Sequence, residues 1–352
     1  MEAYIRGIGN ISPQRTFENS SFLENIREPV LPYMTCIEPN YREFMESMQL
    51  RRMGRILKMG VTASRICLED AGVQQPDAII TGTGLGLLQD TEKFLTTMLD
   101  NEEKFLNPTA FIQSTHNTVG AHIAVMLKCN KYNYTYVHNN ISFESAMLDS
   151  LMQLEENPEL NILLGGLDEM TKQYFQITEK AGFWKKSKNE LTDGNQNNII
   201  IPGEGASFFV LSKKQKKSNY AKIKGVKTFY KPLDTADIFI KINEFLESSN
   251  LSAADVDLVI LGQHDRSGDS IFDNVRNNLF QKSTQTYFKH LCGEYNTSTA
   301  FATWLAAKIL KHQFIPEKIV LSKNNKELPL KNILIYNHFR NKYHSLILLS
   351  DC

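Results

Sequence analysis

The sequence predicts a layered α/β protein made of two similar halves. Three observations carry that expectation: short apolar runs alternate with longer helical patterns, six of the runs fall into two ordered sets of three, and a polar, charged stretch separates the sets. The first set lies at 77–83 (DAIITGT), 161–166 (NILLGG) and 206–212 (ASFFVLS), the second at 256–262 (VDLVILG), 332–337 (NILIYN) and 344–350 (HSLILLS). Each run has the length and composition of a buried strand. The sets pair in the same order, and the last pair is more closely spaced because residues 170–203 form an extra insertion in the first half. An internal duplication is the economical explanation. The expected halves are 1–215 and 220–352, with the seam in KKQKKSNYAK at 213–222, polar and charged as a linker should be.

Composition narrows the function. Among 352 residues, 39 Lys and Arg balance 39 Asp and Glu, and no long basic run is present. That excludes a protein that binds nucleic acid by bulk charge. With 42% hydrophobic residues and 20 Phe, the chain can bury a large core and global disorder is excluded. No apolar run reaches the length of a bilayer span and MEAYIRGIGN does not read as a signal peptide, so a cytoplasmic location with no membrane contact is expected. Five scattered cysteines without a CxxC pair suggest reduced thiols rather than a disulfide framework or zinc site, and the eight histidines show no HExxH-type spacing. No metal or cofactor is expected. Glycines at 82–86 fit neither GxGxxG nor a P-loop, and read as close backbone packing at a strand end.

Several segments, taken together and in order, resemble β-ketoacyl synthases. They are Gly7-Ile8-Gly9-Asn10-Ile11-Ser12-Pro13, Thr81-Gly82-Thr83-Gly84-Leu85-Gly86, Gly165-Gly166-Leu167-Asp168-Glu169, Pro202-Gly203-Glu204-Gly205-Ala206, Val256–Gly262, and Lys289-His290-Leu291-Cys292-Gly293-Glu294. The resemblance implies a thiolase fold, two α/β halves in a layered α-β-α-β-α arrangement. It further implies an acyl carrier protein as partner and, as a second subunit, either an active ketoacyl synthase or another copy of the chain.

Condensing members of that family use a Cys at a helix N-terminus, where the dipole lowers the thiol pKa and amides receive an oxyanion, together with two His residues. At the corresponding turn this chain has no Cys. Either Glu144 or Ser142 takes its place, and helix periodicity favours Glu144, because Leu148 and Leu151 would then share its buried face. The stretch also resembles chain length factors, the non-condensing partners of polyketide synthases. The two family His positions fall at Gly262, with His264 two residues on, and at Glu294, while the Lys of that segment is kept as Lys289. Phe339 matches a gating Phe, but Arg340-Asn341-Lys342 replace the glycines after it, so φ > 0 freedom is expected to be lost.

The resemblance therefore implies a non-condensing subunit that pairs with an active synthase and shapes the pocket for a carrier-bound chain. A second reading is an acyltransferase or variant condensing enzyme in which Ser142, His264 and Glu294 form a nucleophile–base–acid relay. A third pairs Glu144 with Glu294, one acting as a general base, or has Lys289 neutralise one of them. The aromatic, β-branched stretch 132–137 reads as an interface strand or as an ordinary internal one.

Overall fold

The computed structural model describes residues 1–184, 200–264, 269–324 and 329–352. Most of the 170–203 insertion, residues 185–199, therefore lies outside the described residues, as do 265–268 beyond His264. The first arm runs β1 (Ala3–Ile11), α1 (Ser47–Leu50), α2 (Arg55–Ala71), β2 (Ala78–Gly82), α3 (Leu88–Asp100), α4 (Pro108–Gln113), α5 (Thr118–Leu127), β3 (Tyr132–Tyr136), α6 (Ser142–Glu156), β4 (Asn161–Asp168), α7 (Lys172–Lys180) and β5 (Gly205–Ser212). The second runs β6 (Ala221–Tyr230), α8 (Thr235–Glu247), β7 (Leu258–Leu261), α9 (Ser270–Asn278), β8 (Thr284–Tyr287), α10 (Lys289–Cys292), α11 (Ser298–His312), β9 (Val320–Ser322), β10 (Asn332–Phe339) and β11 (Tyr343–Ser350).

All six strand-like runs of the sequence are strands. They hydrogen-bond in the order β3-β2-β4-β5-β1-β6-β11-β10-β7-β8-β9, so β3-β2-β4-β5-β1 in one arm is mirrored by β8-β7-β10-β11-β6 in the other. In the sheet order the arms join where Ala3–Ile5 pair with Ala221–Ile223. Within each arm the inner pairs β2–β4 and β7–β10 are parallel and β4–β5 and β10–β11 antiparallel. Parallel strands need crossover helices on the sheet faces, so these strands are buried on both sides and apolar throughout.

The two arms close over a shared middle layer. Helix α11 is buried along nearly its whole length and packs on β1, β4 and β5 of one arm and β6, β10 and β11 of the other. A helix covered on all sides carries apolar and small residues all round rather than a single stripe. With α6 it fills the central core, which joins Ile5 and Ile8 to Ile335 and Ile347 through Phe143, Met147, Phe301 and Trp304. A second core lies under α2 and α5 on the outer face of the first arm, and a third under α8 and α9 on the outer face of the second. Five layers result: helix, sheet, paired helices, sheet, helix.

The opening glycines serve packing. A Cβ on Gly9 would collide with the backbone carbonyl of Ala63, and one on Gly7 with that of Cys67, so α2 lies directly on β1. Gly9→Ala is expected to lower the unfolding free energy by about 1–3 kcal/mol, as overpacking against rigid backbone does, read as a reduced urea midpoint at unchanged slope; an unaltered midpoint contradicts the packing account.

Candidate functional site

Two adjoining cavities open where the arms meet. The first, of about 290 Å³, is walled by Gly262 and His264 after β7, by Asp269 at the cap of α9, by Lys289 and Glu294, and by His338 and Phe339 at the end of β10. The second, of about 280 Å³, reaches Asn139 and Asn140 before α6 and Asp168 and Glu169 after β4. Phe183, Glu294 and Phe339 wall both.

Glu294 is placed by two glycines. Gly293 has φ +77°, the left-handed region that glycine tolerates, and Gly203 leaves no room for a Cβ against the Cys292 carbonyl. The strand-like contact is closed by Gly203 N–H to Glu294 O at 2.9 Å and Glu294 N–H to Ile201 O at 2.8 Å. One carboxylate oxygen of Glu294 then meets Lys289 Nζ at 2.6 Å and His264 Nε2 at 3.2 Å. Burial alone would raise the Glu294 carboxyl, but Lys289 and His264 hold it below the usual carboxylate range. The loop after β7 thus carries His264 back to the site, two residues beyond the position Gly262 occupies; a Cβ on Gly262 would strike the Asn337 amide.

The start of α6 behaves differently. Ser142 is fully buried; its hydroxyl donates to Asn139 O at 2.7 Å and accepts from His138 N–H at 2.8 Å. It makes no hydrogen bond to His264 and lines neither cavity. The structure brings together His264, Glu294 and Lys289, and leaves Ser142 holding the first turn of its helix. Glu144 is 1% exposed and neither carboxylate oxygen makes a hydrogen bond of normal geometry. Burial raises its pKa, and Ser345, Thr299 and the charge of Lys289 offset only part of that. Its periodicity argument needs correction: Leu148 is 40% exposed, whereas Asp149 is buried and accepts from Tyr132 OH at 3.0 Å. The inward face is instead Phe143, Ala146, Met147, Ser150 and Leu151, because the helix is covered by β2 and β4 on one side and α11 on another.

The glycine-free turn at Phe339 also departs from expectation. Arg340 and Asn341 adopt φ +53° and +51°, and Lys342 N–H donates to Phe339 O at 3.0 Å, closing the three-residue connection between the paired Phe339 and Tyr343. Asn tolerates this backbone; Arg does so at a cost. The Arg340 guanidinium compensates by lying over the rings of Phe183 and Phe339, 4.2 and 5.2 Å from their centroids.

Sequence reasoning assigned no role to two residues that the site uses. Asp168 accepts from Thr83 Oγ1 and the Gly84 and Leu85 amides with one oxygen, and from Thr297 N–H and Oγ1 with the other. His338 walls the first cavity 3.2 Å from Asp269. Its position one residue before Phe339 was the available signal. The 82–86 glycines do serve close packing: a Cβ on Gly82 would meet the first turn of α6, and one on Gly84 the side chain of Asn296.

Two mirrored arms of one sheet closed over a shared pair of helices, with cavities at their junction, are the architecture of the thiolase fold. Residues 30–198 match the family described as β-ketoacyl synthase, N-terminal domain. Solved structures share the fold across the whole chain. The ishigamide ketosynthase/chain length factor superposes with a TM-score of 0.77 at 17% identity, covering 100% of this chain and 99% of that one. A β-ketoacyl synthase from Burkholderia phymatum STM815 gives 0.79 at 14%, with the same coverage. A type II polyketide synthase acyl-carrier protein in complex with its ketosynthase bound to the hexaketide, AntDE:AntF, gives 0.76 at 14%, again covering 100% and 99%. Comparison with curated protein sequences gives no significant match. No helix among the described residues is long and apolar enough to cross a membrane.

Glu169, 2% exposed beside the second cavity, has its carboxyl pushed up to about 7, chiefly by burial. A carboxyl that keeps its proton longer when folded makes stability fall as pH rises from about 4.5 to about 7, and no further above that. Between pH 4.5 and 8 the wild-type chain is expected to lose on the order of 3 kcal/mol more than Glu169→Gln, measured by urea unfolding at both pH values; parallel losses contradict it.

Proposed function

We propose that this chain is a chain-length-factor-like, non-condensing subunit that pairs with an active β-ketoacyl synthase and shapes the pocket for an acyl-carrier-bound chain in polyketide synthesis. The observation that carries this reading is Glu144. A buried carboxyl without a hydrogen bond of normal geometry, biased toward its neutral form, lies in the first turn of α6, the turn to which the resemblance assigns the condensing thiolate. A carboxyl biased toward its neutral form is a poor nucleophile. The thiols of Cys36, Cys67 and Cys292 are buried and pushed well up by burial, so they do not replace it. In the second half, Glu294 is bound by Lys289 where the family has a His.

Pairing is supported by the edge of the sheet. Strand β3 ends the strand order with its outer side unpaired among the described residues, and Tyr134 on it, Val125 on α5, and Leu148 and Met152 on α6 are exposed. An open edge flanked by apolar side chains is a liability in a monomer and a natural seat for a second subunit. The mirrored strand order supports reading 1–215 and 220–352 as two copies of one half. The contact between His264 and Glu294 favours the alternative of a Ser142–His264–Glu294 relay in two of its three members.

Two measurements separate these readings. Native mass determination of the protein purified from its own cells is expected to give a one-to-one complex with a Cys-containing ketosynthase; a homodimer without such a partner overturns the subunit reading. In the complex, Ser142→Ala is expected to leave the rate within about threefold, whereas a relay nucleophile would lose several orders of magnitude.

A further inference from the structure

Residues 88–113 form an arm that the body of the protein hardly covers. Of the 13 residues of α3 only Leu88 is buried, and α4 has no buried residue. Leu99, Phe105 and Ile112 are exposed, and the two helices touch through the rings of Phe94 and Phe111, whose centroids are 5.6 Å apart. Between the helices Glu102, Glu103 and Phe105 hold φ of +49°, +64° and +53°, backbone that residues other than glycine adopt at a cost. An element with so few buried contacts and a strained connection opens at a lower free energy than the sheet behind it.

The attachment of this arm lies at the root of α3, and acids make it. Glu169, directly after β4, accepts from Gln89 N–H at 3.0 Å, and Glu92, on the arm, accepts from Thr171 Oγ1 at 2.5 Å. At the other root Gln113 reaches Arg52 O at 3.4 Å. The charged groups that act on Glu169 are Arg55 on α2, Glu204 before β5 and Asp90 on α3. Arg55, the cation of this set, is committed elsewhere: its guanidinium meets Glu204 at 2.5 and 2.6 Å and Glu38 at 2.6 Å. On the cavity side stand Asp168, Glu294 and Tyr174. A negative charge on Glu169 therefore faces other acids with no cation of its own.

We propose that residues 88–113 are a latched arm: neutral Glu169 holds the root of α3 against the turn after β4, and ionisation of Glu169 releases it. The neutral acid accepts from Gln89 N–H without setting a charge beside Asp90 and Glu204. The ionised acid is better served by water, which outward movement of the root admits. The docked Glu169 carboxyl is pushed up to about 7, chiefly by burial, and an open arm returns it to an ordinary carboxyl. Opening therefore becomes easier as pH rises from about 4.5 to about 7 and levels off above that. Because Glu169 also walls the second cavity, the latch joins that cavity to the arm: an occupant that keeps water from Glu169 favours the neutral acid and the docked arm. The inference holds whether the chain is a subunit or an enzyme.

The test is hydrogen–deuterium exchange of the purified full-length protein, followed by mass spectrometry of peptides from α3 and β4 across the pH range and corrected for the intrinsic pH dependence of amide exchange. The expected result is that α3 is less protected than β4 throughout, with its protection factor falling about fiftyfold between about pH 5 and about pH 8. Glu169→Gln keeps an acceptor for Gln89 N–H and cannot ionise, so its α3 factor is expected to stay constant within about twofold over the same range. A pH-independent α3 factor in the wild-type protein, an equal fall in Glu169→Gln, or one protection factor shared by α3 and β4 overturns the proposal. The wild-type profile decides it even if the variant does not fold.

Discussion

The arrangement depends on one buried carboxylate. Asp168 stands at the end of β4, in the first arm, yet one of its oxygens serves the Thr83–Leu85 loop after β2 and the other the first turn of α11. Burial raises its pKa while the five donors oppose that, so its value to the fold comes from geometry rather than from an ion pair. Through it, the loop that lies against the head of α6 and the helix that spans both sheets are fixed relative to each other. Both cavities lie beside this node. The site is therefore built from chain ends of strands and starts of helices, where backbone groups are unsatisfied and side chains can complete them.

Around that node the chain handles buried acids in two opposite ways. Glu204 is met by Arg55 through both guanidinium nitrogens, and by the Cys36 and Met170 amides; Glu294 is met by Lys289 and His264. These acids fix loops. Glu144 and Glu169 receive no such cation and are biased toward the neutral form. One group of acids organises the backbone; of the other, Glu169 borders the second cavity and Glu144 is enclosed at the head of α6. A pocket for an apolar chain needs the second kind, since an unpaired buried charge would cost several kcal/mol.

Much of the fold was legible in the sequence. Continuous apolar strands such as NILLGG and NILIYN announce parallel, doubly covered sheets, and their ordered recurrence announces two arms. The shortest strands were less visible: Thr284–Tyr287 and Val320–Ser322 have too few apolar residues for periodicity to register. The site was legible as a set of positions but not as contacts. Glu294 and Lys289 could be named from their segment, whereas the meeting of His264 with Glu294 depends on a loop path that no local pattern encodes. The inward face of α6 was misjudged at Leu148 because a helix in the middle of five layers has two covered sides, and a single-stripe rule cannot choose between them. The turn at Arg340 escaped for a related reason: backbone cost there is offset by two aromatic rings, one of them contributed by a residue more than a hundred positions away.

The neutral acids also alter how the whole molecule presents itself to others. A count of side chains assigns the protein a formal charge of zero, which treats every carboxyl as ionised. Each proton that Glu144 or Glu169 keeps after folding makes the native chain more positive than its composition. Burial thus removes, near pH 7, part of a negative charge that composition alone would place at the Glu169 wall of the second cavity.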